Sequence, residues 1–239
     1  MDQPRYILGF DTAMSGCSAS LYDVSGQSFA TQTKDTPRGQ AEFLVPMIQQ
    51  AIADGGATFK DVDLIATTIG PGAFTGLRIG LSTARTLGLA LSKPVVGCTT
   101  LDVLAKQFFE ADSINESAQL FVLIETKRKD FYVQVYDAKG AAVTEPEALS
   151  FDAVMAMTEG QSPVFVGDAL TRFQSLMSAE QGQGFDFRLG FEQPNPEAIC
   201  RLCYDYYLSG NLDDFPADPL YLRDADVSQP KNKPRYLAK

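Results

Sequence analysis

Residues 63–92 read DLIATTIGPGAFTGLRIGLSTARTLGLALS. An apolar run enters Gly70-Pro71-Gly72, and a helical pattern continues from about Thr75 to Leu91. Strand, glycine loop and helix in that order point to an α/β fold. The glycines resemble a nucleotide fingerprint but match neither common form. Gly70, Gly72 and Gly76 give G-x-G-x-x-x-G instead of G-x-G-x-x-G, and no Gly-Lys pair follows to make a P-loop. Two readings stay open from this stretch. In one, Thr75 caps a helix whose free N–H groups face an anion, and Asp11, at the end of the first strand, completes a phosphate or magnesium-water site. In the other, the loop is a tight turn that needs a left-handed glycine.

The helix beyond the loop carries a second regularity. Gly76, Gly80, Ala84 and Gly88 recur every four residues and lay a strip of small side chains along one face. A glycine inside a helix costs roughly 1 kcal/mol relative to alanine, so the strip implies close approach of another backbone, from this chain or a second protein.

Outward from this segment, the first half reads as strands near residues 6–12, 17–23 and 28–33, then a helix from Arg38 to Asp54 with Phe43, Leu44, Met47 and Ile48 at helical spacing. After the glycine loop come a short strand at 93–97 and a helix at 99–109. The polar segment 111–117 reads as a lobe boundary. The second half repeats the plan: strands at 120–125, 131–136 and 142–149, a helix from about Asp152, a strand at 163–166, and helices near 170–178 and 196–208. The expectation is two α/β lobes, 1–110 and a smaller 111–239, with the 196–209 helix packing back on the first lobe.

Composition narrows the chemistry. Of 239 residues, 45% are apolar and 21% charged, as in an ordinary globular protein, and no apolar run is long enough for a membrane helix. The start, MDQPRYILGFDT, lacks the pattern of a secretory signal, so a cytoplasmic location is expected. The net charge of −10 repels phosphate backbones except at local basic patches, Lys127–Lys129 or the tail with Lys231, Lys233, Arg235 and Lys239. The absence of histidine excludes Ser-His-Asp and Cys-His arrangements and any histidine metal site. The four cysteines do not suggest a disulfide framework. Cys200 and Cys203 stand on one helix face with no second pair to complete a zinc set, so they read as buried apolar residues.

Several stretches together resemble a known family. Phe10-Asp-Thr-Ala13, Arg38 with Glu42–Ile48, Gly70-Pro-Gly-Ala-Phe-Thr-Gly-Leu-Arg-Ile-Gly80 and Pro94-Val-Val-Gly97 are similar to the TsaB family, also called YeaZ. Weaker similarities lie at Glu125–Tyr132 and Pro219–Arg223. The resemblance implies the ASKHA fold, shared with actin and Hsp70, of two ribonuclease-H-like lobes. It implies a non-catalytic subunit of the machinery that makes N6-threonylcarbamoyladenosine at position 37 of tRNA, supporting the catalytic paralogue TsaD together with the ATPase TsaE. TsaD holds a metal through an H-x-x-x-H motif, whose ligands would fall at about Thr100 and Leu104 here. On this reading no metal or cofactor is required, weak nucleotide binding at Asp11, Gly70, Gly72, Thr75 and Gly76 is left open, and tRNA is met mainly through the partner. The expected docking face combines Phe43, Leu44, Met47 and Ile48 with Gly76, Gly80, Ala84 and Gly88, and such a face left free would form a homodimer. The rival reading is an ASKHA-type ATPase or phosphotransferase using Asp11 and the Gly70–Gly76 loop.

Overall fold

Alternating and continuous apolar runs build two five-stranded sheets of the same design in the computed structural model, which describes residues 3–36, 38–178 and 180–223. The first contains β1 (Tyr6–Asp11), β2 (Gly16–Asp23), β3 (Ser28–Asp35), β4 (Val62–Gly70) and β5 (Val95–Thr99) in the order β3-β2-β1-β4-β5. The second contains β6 (Ala118–Glu125), β7 (Asp130–Tyr136), β8 (Glu147–Ser150), β9 (Ser162–Val166) and β10 (Asp186–Phe187) in the order β8-β7-β6-β9-β10. In each sheet the first three strands form an antiparallel meander, and the last two join it in parallel. The fold is thus the two-lobe α/β plan of the ASKHA proteins.

The duplication extends to particular residues. β1 and β6 each end in a carboxylate followed by threonine, Asp11-Thr12 and Glu125-Thr126. The fourth strand of each lobe leads into a glycine with positive φ, Gly70 at 110° and Gly167 at 114°, a conformation side chains resist.

Among the described residues six α-helices cover the sheets: α1 (Gln40–Asp54), α2 (Phe74–Leu91), α3 (Thr100–Ala111), α4 (Phe151–Met157), α5 (Leu170–Leu176) and α6 (Pro196–Leu208). Alternation along β1 sorts the layers. Tyr6, Leu8 and Phe10 join Leu44, Ile48 and Ala84 in the core beneath α1 and α2. Ile7 joins Ala198, Ile199, Cys200 and Cys203 of α6 on the opposite face. Gly9 lies on that face as well, where an added Cβ would come within 2.6 Å of the Cys200 sulfur. α3 is wedged between the lobes. Its Val103 packs with the first sheet, and Leu101, Leu104 and Phe108 pack with Leu120, Val122 and Ile124 of β6. Phe121, Phe165 and Phe173 fill the far side of the second sheet under α4 and α5.

The elements expected from the sequence recur with two differences. The strand expected at 142–149 is reduced to an isolated bridge between Tyr136 and Ala142 followed by β8 at Glu147–Ser150. The two-residue β10 completes the second sheet without any sequence pattern long enough to show it.

Candidate functional site

The β1 alternation decides what Asp11 can do. As the odd-numbered end of the strand it points to the α6 face, as does its register partner Ser18 on β2. Asp11 is 2% exposed, and its Oδ1 accepts the Ala13 N–H at 3.0 Å and the Thr68 hydroxyl. Burial pushes its carboxyl up to about 6, against the opposing pull of these hydrogen bonds.

The glycine loop lies on the other side of the strand end. The Ala73 N–H donates to the Ala13 carbonyl at 2.6 Å, and the Thr12 hydroxyl donates to the Gly76 carbonyl at 2.7 Å. A Cβ at Gly72 would overlap the Ala13 carbonyl oxygen, and one at Gly76 the Thr12 carbonyl oxygen. These glycines are therefore present because one backbone lies directly on another. The N-cap of α2 is Ala73, with no side-chain cap, and Thr75 stands exposed in the first turn. The nucleotide site expected from Asp11, Gly70, Gly72, Thr75 and Gly76 is thus not assembled. Gly72 and Gly76 are packed against Thr12-Ala13, and Asp11 faces away from them across the sheet.

The matching end of the second lobe is also occupied by its own chain. Asp168 accepts the Glu125 N–H at 2.8 Å, and burial raises its carboxyl to about 6. Glu125 accepts the Lys127 N–H at 2.6 Å and pairs with Arg172. Among the described residues no group of three or more Asp, Glu, Cys or His side chains is placed to hold a metal ion. Thr100 and Leu104 are buried in the core around α3. All four cysteines are free and buried; a hydrogen bond with Cys203, then burial, pushes the Cys98 thiol up, and burial pushes the Cys200 thiol up.

The small-residue strip requires a second correction. Gly76, Gly80, Ala84 and Gly88 face the chain's own first sheet, not a partner. A Cβ at Gly80 would lie 2.8 Å from Thr12 Oγ1, and one at Gly88 would overlap Val95. Leu44 and Ile48 likewise belong to the internal core, while Phe43 and Met47 are half-buried against it. What α1 and α2 show outward is different: Val45 (46% exposed), Phe74 (48%) and Leu89 (85%), with Arg78, Ser82 and Thr86. A groove of about 520 Å³ lies there, lined by Phe74, Thr75, Arg78, Ile79, Ser82 and Thr83 of α2 and by Ala41 at the start of α1.

A feature without periodicity borders the interlobe cleft. The segment after α6 runs as a strap along the first lobe: the Gly97 N–H donates to the Phe215 carbonyl at 3.0 Å, and the Leu220 N–H to the Ile69 carbonyl at 2.8 Å. Arg85 of α2 donates to the Ala217 carbonyl at 2.7 and 3.1 Å and pairs with Asp218. The strap then reaches the second lobe, where Arg223 pairs with Asp130 at 2.9 Å. A cleft of about 550 Å³ lies beside it, lined in part by Phe74, Arg78, Arg128, Tyr132, Tyr221 and Arg223. The basic tail residues Lys231, Lys233, Arg235 and Lys239 lie outside the described residues.

A duplicated α/β architecture of this order, with a glycine loop locked onto the first strand turn, defines a two-lobe actin-like protein. The family model for TsaD, tRNA N6-adenosine threonylcarbamoyltransferase, matches residues 28–212, and the chain belongs to that family, in its TsaB (YeaZ) group. Similar relatives include the tRNA threonylcarbamoyladenosine biosynthesis protein TsaB of Buchnera aphidicola subsp. Baizongia pistaciae, 32% identical over 131 residues, covering 54% of this chain and 58% of that protein. The Escherichia coli protein of the same description is 28% identical over 130 residues, 54% of each chain. The chain therefore spans little more than half the length of the curated relatives it matches. A solved YeaZ structure from Pseudomonas aeruginosa superposes with a TM-score of 0.75 at 23% identity, covering 91% of this chain and 99% of that one, and shows the same fold.

Proposed function

We propose that the chain is a non-catalytic docking subunit in the synthesis of N6-threonylcarbamoyladenosine on tRNA, binding TsaD through the outward faces of α1 and α2 and supporting it together with TsaE. The observation that carries the reading is the packing of Gly72 and Gly76 onto Thr12-Ala13 and the occupation of the second lobe's strand end by its own chain, beside an exposed groove of mixed polarity on the α1–α2 surface. Family membership supplies the process, and the relatives' descriptions name it. The residues aligned with the TsaD metal ligands, Thr100 and Leu104, offer no imidazole. With a net charge of −10 the chain leaves tRNA mainly to its partner. Weak nucleotide binding, if measured, is not required for this role. In the absence of TsaD the same groove would pair two copies of the chain.

The test is co-purification with TsaD and reconstituted tRNA modification, comparing wild type with Ser82→Trp. Ser82 is exposed and lines the groove, so a tryptophan there blocks docking without entering the core. Loss of both TsaD binding and modification at unchanged melting temperature is expected. Full modification by TsaD and TsaE with the chain omitted would refute the role, and undiminished docking of the variant would refute the surface.

A further inference from the structure

On the α6 side of the first sheet, away from the docking helices, lies a cavity of about 280 Å³ between the strand ends and the α6 N-terminus. We infer that it is a binding site for the ammonium group of a small organic amine. Its wall includes a row across three strands, Asp11, Ser18 and Thr33, set by register. Gln193 and Glu197 close it from the other side, with Asp35 exposed at the rim.

Two polar atoms here lack partners. The Ser18 hydroxyl, in a residue only 7% exposed, has none, and neither has the Gln193 side-chain carbonyl. Leaving such groups buried and unpaired is costly, because they have given up water without gaining a partner. Gln193 Oε1 only accepts, because the amide nitrogen is committed to Ser15 Oγ at 2.9 Å. A ligand must therefore bring donors.

The charges facing the cavity have one sign. Thr31 Oγ1 donates to Glu197 Oε1 at 2.8 Å, which places Thr31, and by alternation Thr33 and Asp35, on the α6 face. Lys34 is thereby sent to the opposite face, where its ammonium lies 4.2 Å from the Phe43 ring centre. Asp11, Asp35 and Glu197 remain, with Arg201 only 3.9 Å away on the far side of Glu197. The α6 N-terminus does not reverse the preference. Pro196 has no N–H to give, and the Glu197 N–H is taken by the Asn195 side chain at 2.9 Å. The carboxylates do not converge as metal ligands, since no such group of three occurs among the described residues. A three-donor ammonium fits the unpaired acceptors, and the cavity has about the liquid volume of nine waters, room for a short aliphatic chain.

The probe is 1,4-diaminobutane, with butane-1,4-diol as its uncharged counterpart, followed by calorimetry and by the backbone amide signals of Ser18 and Gln193. Saturable diamine binding is expected, weakened roughly tenfold or more by either Ser18→Ala or Gln193→Met, with the diol not binding. Ser18→Ala removes an unpartnered hydroxyl and adds no atom to the cavity, so its melting temperature should stay level or rise while affinity falls. No saturable binding, equal binding of the diol, or affinity untouched by both substitutions would overturn the site.

Discussion

The Thr12 hydroxyl donates to the carbonyl oxygen of Gly76 at 2.7 Å, and the Thr12 carbonyl sits where a Gly76 side chain would begin. The first turn of α2 is thereby sealed to the end of β1. Gly76→Ala forces a Cβ into backbone that cannot rotate away, and about 3 kcal/mol of stability or more should be lost in urea unfolding. Ser82→Ala, two turns along on the exposed face, should stay within about 0.5 kcal/mol. Equal effects of the two would show that the strip faces outward.

The strip also shows which parts of the molecule were legible in sequence. Spacing by four correctly demands close approach of another backbone but does not name that backbone. The deciding signal was its flanks: Leu77 and Leu81 adjoin the glycines and are buried with them, whereas Arg78, Ser82 and Thr86 lie on the other face. Most strands and helices were readable because their apolar periods are intact. The β10 pairing and the strap from Phe215 to Arg223 were not, because a two-residue strand and a segment held by single backbone bonds leave no period. Asp11 was found as a strand-end carboxylate, but pairing it with the glycine loop overlooked the period of two that turns it to the opposite face.

Removal of Arg85 separates the strap's two kinds of contact. Its bonds to the Ala217 carbonyl are partly buried, while its pairing with Asp218 is solvent-exposed. Arg85→Ala should cost about 1–2 kcal/mol and speed amide exchange at Gly97 and Leu220. Asp218→Ala should change stability by less than about 0.5 kcal/mol, since exposed ion pairs contribute little. A larger effect from Asp218→Ala would mean that the ion pair, and not the carbonyl contact, fastens the strap.

The Tyr136 hydroxyl lies 2.8 Å from both Asp102 Oδ1 and Gln134 Oε1. The Gln134 amide is oriented by its Nε2 bond to the Thr144 carbonyl, at 3.1 Å, so both partners present acceptors to a group with one proton. Burial raises the Asp102 carboxyl, which favours the protonated form that can supply the second donor. Tyr136→Phe leaves a carboxyl and an amide oxygen without that hydroxyl and should destabilise by about 2–3 kcal/mol. Asp102→Asn in the same background should recover part of the loss by removing the titrating charge. No recovery would place the cost in the amide instead.

Asp11 should shape the pH dependence of stability. Its carboxyl rises from 3.8 to about 6 on folding, so between those values the folded chain holds a proton that the unfolded chain has released. Stability from this group is therefore present in full below pH 3.8 and declines as pH rises through 6. Asp168, also raised to about 6, adds a decline in the same window. An asparagine at position 11 can still accept from Ala13 and Thr68 but never ionises. Asp11→Asn should match wild type near pH 4 and exceed it by about 2–3 kcal/mol at pH 7, as read from urea unfolding at the two pH values. Part of the residual slope belongs to Asp168 and should be lost in the double variant with Asp168→Asn, while Asp102, also raised by burial, keeps a decline of the same sign. A single variant less stable than wild type at pH 7 would show that the Asp11 carboxylate is satisfied in the folded chain and ionises near its ordinary value.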